Sequence, residues 1–116
     1  MGSAKTFKDL FVWQKVHELV IEVYKTTKLF PSEEKFGLVS QMRRAAVSIP
    51  ANIAEGFVKR GIKDKSNFYN MSQGSLEELK YYFILSEDLG YAKNGRLTLK
   101  ANEVGKLLNG LLSSLS

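Results

Sequence analysis

A chain of 116 residues with 44% hydrophobic and 25% charged side chains has the apolar mass for one compact domain with a single core. The absence of cysteine excludes disulfides and thiolate metal sites, and no apolar run approaches the ~20 residues that span a bilayer. A net charge of +5 and a pI near 9.5 favour an anionic partner without naming one.

The N-terminal MGSAKTFKDL holds no apolar signal segment, so a cytoplasmic location is expected, with no membrane partner. Residues 1–8 read as a flexible lead-in to one domain spanning 1–116. The first helical segment is Leu10 to Lys28, with Val12, Val16, Leu19, Val20, Val23 and Thr27 on one side at a period of 3.6. Asp9 suits its N-cap. Pro31 ends the run, because it disfavours helical geometry at Phe30.

Ser32 suits the cap of the second helix, with Glu33 and Glu34 at the positive end of its dipole. Its stripe is Leu38, Met42, Ala45, Ala46, Ile49, Ile53 and Phe57, and Pro50 inside it predicts a kink or local break. The third helix, near Asp64 to Leu89, turns Phe68, Ser72, Ser75, Leu79, Tyr82, Phe83 and Ser86 to one face and stops at Leu89-Gly90. An Asn94-Gly95 turn leads to a fourth helix from about Thr98, with a Val104, Leu107, Leu108, Leu111, Leu112, Leu115 ladder. Four amphipathic helices on short connections predict an all-α, antiparallel up-down-up-down four-helix bundle, its second helix kinked at Pro50.

Two sets of residues stand out as candidate sites. Lys59, Arg60, Lys63 and Lys65 form a cationic cluster near Phe57, Phe68 and Tyr69. Cations there suit phosphates, and an aromatic suits an unpaired base. A solvated loop that complements a helix C-terminus explains the same charges. The second set lies on the outer face of the second helix, where Arg44 shares a side with Ser40, Val47, Ser48, Ala51 and Glu55, and Arg43 lies at the core's edge. That face has few long charged side chains, so it reads as a second packing surface, against another copy or another helix, with Glu55 of a neighbouring copy a candidate partner for Arg44. Direct nucleic-acid contact by Arg43 and Arg44 is the other reading. Tyr81 and Ile84, outward on the third helix, also favour assembly.

The lone His17, beside Glu18 and Glu22, supplies too few ligands for a transition-metal site, and it lacks a serine-aspartate partner at any familiar spacing. Gly56 and Gly61 are followed by Ile62 rather than a phosphate-loop lysine. No catalytic residue, metal or cofactor is therefore expected.

Three stretches, FKDLFVWQKVHELV, VYKTTKLFPSEEKFGLVSQMRRAAVSIPANIAEG and GSLEELKYYFILSEDLGY, resemble the four-helix bundle family encoded by intervening sequences of 23S ribosomal RNA genes. The resemblance spans about residues 7–115. It implies a ring-shaped homo-oligomer, typically a pentamer, similar to the accessory variability protein of diversity-generating retroelements, which binds nucleic acid and a partner protein. The chain departs from the family pattern in GIKDKSNFYN and at Lys80, both more basic than expected. The family's own biochemical role is largely unassigned. The charge distribution and the resemblance together point to a non-catalytic, basic oligomeric scaffold for RNA or single-stranded nucleic acid. The alternative is an adaptor for a protein partner.

Overall fold

The computed structural model describes residues 3–115. Met1, which falls in the expected flexible lead-in with Gly2, lies outside the described residues, as do Gly2 and Ser116. Four helices make up the body: α1 (Phe11–Thr27), α2 (Leu38–Val58), α3 (Ile62–Asp88) and α4 (Gly95–Ser113), with short 3-10 turns at Phe7–Asp9 and Ser32–Glu34. The fold is all-α, with no strand among the described residues.

Packing follows the apolar periodicity. Val16, Leu19 and Val23 of α1, Met42, Ala46, Ile49 and Ile53 of α2, Leu76, Leu79 and Phe83 of α3, and Ala101, Val104 and Leu108 of α4 close one core. α2 and α3 run antiparallel in close contact. The Ser72 hydroxyl donates to the Ile49 carbonyl at 2.8 Å, that of Ser75 to Ser48 Oγ at 2.9 Å, and Gly56 lies against Tyr69. α3 and α4 are bridged by Gln73 and Asn109, whose side chains bond at 2.5 Å. Arg96 and Lys100 of α4 meet Glu22 of α1 at 3.0 and 3.5 Å.

Several helix ends differ from expectation. Asp9 does not cap α1: its carboxylate accepts backbone N–H bonds from Lys5 (2.8 Å) and Thr6 (3.0 Å), stabilising the turn before the helix. These bonds to the charged form hold the Asp9 carboxyl below its usual pKa. Ser32 does not cap α2 either, because a 3-10 turn intervenes and the helix begins at Leu38. Glu34 takes that role, with Oε1 accepting from the Leu38 N–H at 3.2 Å and Oε2 from the Tyr91 hydroxyl at 2.8 Å. That second bond raises the Tyr91 pKa. α2 then continues through Pro50 without a break.

The stop after α3 forms as the glycine signal implies. Gly90 adopts φ +80°, its N–H donates to Glu87 O, and the Tyr91 N–H donates to Ser86 O. This is a Schellman closure. Asn94-Gly95 is a helix start rather than a free turn. Asn94 is buried, and its Nδ2 donates to Phe83 O and Ser86 Oγ, both at 2.8 Å, while its N–H donates to Glu87 Oε1 at 2.7 Å. Asn94→Ala removes two buried bonds. The expected loss is about 2 kcal/mol, or about 8 °C in melting temperature by circular dichroism; an unshifted midpoint would show the connection to be held otherwise.

Candidate functional site

The cationic cluster occupies the tip of the α2–α3 hairpin. Lys59, extended at φ −71° and ψ 144°, ends α2, and Gly61 precedes α3, so only residues 59–61 lie between the helices. Lys63 and Lys65 therefore stand in the first turn of α3 rather than in a loop, with Asp64 between them at the positive end of its dipole. Lys65 reaches back to α2. Its ammonium donates to Phe57 O at 2.7 Å and Gly56 O at 3.2 Å, and lies 5.5 Å above the Phe57 ring. Two carbonyls in the last turn of α2 thus find a charged donor.

Lys59 covers the Phe68 ring at 5.2 Å, while Arg60 and Lys63 are exposed. The apolar Val58 and Ile62 beside them are exposed too. Tyr69, an expected stacking aromatic, is only 2% exposed and packs on Gly56. Phe57 and Phe68 are half-buried beneath lysines.

The paired arginines part company. Arg43 ties α2 to the end of α1: its Nε donates to Thr27 Oγ1 at 2.9 Å, one Nη to Tyr24 O at 3.3 Å, and its guanidinium stacks 4.4 Å from the Tyr24 ring centroid. Arg44 is exposed, bonded to Gln41 Oε1 at 2.7 Å, and borders the α2–α3 seam beside Ser75 and Glu78. Glu78 accepts the Tyr82 hydroxyl at 2.7 Å. That bond raises the Tyr82 pKa, and the nearby Arg44 charge opposes the rise.

Ser40, Val47, Ala51 and Glu55 share the outer side of α2 with Arg44, all exposed. On α3, Tyr81 and Ile84 are 56% and 61% exposed. The residues expected at a contact between copies therefore do face outward. Sequence reasoning missed what lies beside them. Tyr24, Lys35, Phe36, Arg43, Arg44 and Val47 line a groove of about 650 Å³ between α1 and α2. Phe36, at 88% exposed, is its most prominent apolar group. With Ser32 expected as the cap of the second helix, Phe36 fell inside that helix, whereas α2 begins only at Leu38.

His17 is exposed and stacks on Trp13, with ring centroids 5.1 Å apart and planes 7° from parallel. Among the described residues, no three His, Cys, Asp or Glu side chains gather as metal ligands would, and no helix is long and apolar enough to cross a membrane.

A protein of unknown function from the S23 ribosomal protein family of Bacteroides thetaiotaomicron has a similar crystal structure. It superposes with a TM-score of 0.81 at 24% identity, over 88% of this chain and 95% of that one. At that identity the likeness concerns the fold. No functionally curated protein matches significantly. The profile of the 23S rRNA-intervening sequence proteins matches residues 8–110, a span that takes in all of α1, α2 and α3 and most of α4. This all-α chain belongs to the 23S rRNA-intervening sequence protein family.

Proposed function

We propose that this protein is a non-catalytic, basic homo-oligomeric scaffold that binds RNA or other single-stranded nucleic acid through the α2–α3 tip. A closed ring, five-membered in keeping with the family resemblance, is its proposed form. The observation that carries the reading is the chemistry of the tip: Arg60 and Lys63 exposed, Lys59 lying on Phe68, and a single acid, Asp64, among them. Phosphates suit the cations, and the half-buried Phe68 ring suits a base once Lys59 turns from it to a phosphate. Repetition around a ring multiplies such a modest patch through avidity. Arg43 and Lys65, also candidates on sequence grounds, already bond to Tyr24, Thr27, Gly56 and Phe57, so the proposed contact centres on Lys59, Arg60 and Lys63.

Fluorescence-anisotropy titration with an unstructured RNA tests this. Three phosphate contacts per engaged chain give a log–log salt slope near −2, hence a roughly 20-fold loss of affinity between about 50 and 200 mM salt. Absent or salt-independent binding would sink the proposal and leave the protein-adaptor reading in its place.

A further inference from the structure

We propose that copies of this chain join face to groove, the outer stripe of α3 on one copy seating in the α1–α2 groove of the next. The inference rests on the assembly reading above and specifies its contact. On α3, Gly74, Glu77, Tyr81, Ile84 and Asp88 recur at alternating three- and four-residue intervals, and all are exposed. That spacing is the seam of a coiled coil. Tyr81 and Ile84 are its apolar knobs, and both of its charges are negative, Glu77 being ion-paired with Lys80 at 3.0 Å.

The groove is the complement. It offers the exposed apolar surface of Phe36, Tyr24 and Val47 with the cations Lys35, Arg43 and Arg44, and no carboxylate lines it. Pairing like with like is disfavoured on both sides. Groove against groove would oppose arginines, and stripe against stripe would oppose Glu77 and Asp88; each juxtaposition is repulsive in a desolvated contact. The favourable match joins unlike surfaces, so every copy uses its groove toward one neighbour and its stripe toward the other. Such a heterologous contact closes into a ring where the rotation permits.

A mixing experiment tests the pairing. Val47→Arg blocks the groove and leaves the stripe intact; Ile84→Arg does the reverse. Both positions are solvent-facing, so both variants should melt close to the wild type. By light scattering after size exclusion, the wild type should be a multimer and each variant alone a 13.1 kDa monomer. The two mixed should give a complex of twice that mass, because one good groove then meets one good stripe and growth stops there. A variant that stays multimeric alone, or a mixture that stays monomeric, overturns the pairing while a multimeric wild type preserves the assembly reading. A monomeric wild type overturns both. Should either arginine variant melt well below the wild type, Arg44→Glu and Tyr81→Glu replace them with the same expected masses.

Discussion

Gly56→Val should lower the melting temperature by about 12 °C. A Cβ at position 56 would lie 2.7 Å from Tyr69 Cε1 and 3.0 Å from Phe68 Cβ. The tyrosine ring is buried, and Phe68 Cβ is fixed to the α3 backbone, so neither neighbour yields without moving α3 away from α2. Overpacking of this kind costs about 3 kcal/mol, and each kcal/mol is worth about 4 °C in a domain of this size. Gly105 supplies the control. Its added Cβ meets only Leu76 Cδ2, at 3.5 Å, an ordinary contact, so Gly105→Ala should gain up to ~1 kcal/mol from helix propensity. Equal melting of Gly56→Val and wild type would mean that the α2–α3 approach is slack.

Reversing Lys59, Arg60 and Lys63 together to glutamate should weaken RNA binding by about 100-fold or more at physiological salt. Three reversals of two units each take the chain from +5 to −1, so the tip changes from attracting phosphate to repelling it. The fold should be unaffected. Arg60 and Lys63 are exposed, Lys65 still serves the end of α2, and an acid at position 63 suits the N-terminal dipole of α3 by a few tenths of a kcal/mol. Anisotropy measures the affinity and light scattering the mass. Unchanged RNA affinity would remove the tip from the binding surface, and loss of the multimer would place it between copies instead.

The four helices were legible because three of them carry apolar stripes. On α1 the expected Val16, Leu19 and Val23 are buried and Val20 half-buried, and on α2 the expected Met42, Ala45, Ala46, Ile49 and Ile53 are buried. On α4 Val104 and Leu108 are buried, while Leu107, Leu111, Leu112 and the following Leu115 are half-buried. α3 was harder. Tyr69 and Leu76 are buried there, whereas the expected Phe68, Ser75 and Tyr82 are only half-buried. Serines facing α2 carry little hydrophobic signal, and apolar residues such as Tyr81 and Ile84 on the far side blur the periodicity. On α4, the expected start at Thr98 left out the buried Leu97 and understated how far Asn94 commits the helix to begin. Caps misled for a simpler reason. Asp9 and Ser32 have suitable chemistry, but a carboxylate bonds whichever amide the chain brings near, and Glu34 was closer to the start of α2. The cationic tip could be read from local sequence. The groove could not, because Tyr24 and Phe36 meet Arg43 and Arg44 only after α1 folds back on α2.

The molecule is elongated, 45 Å by 23 Å by 20 Å, with its lysine-arginine hairpin turn at the end of two long helices. Rotation about a single axis carries every equivalent atom around at constant height. A cyclic assembly of any size would therefore gather all its hairpin turns into one circle, at a single level along its axis, and concentrate their positive charge there.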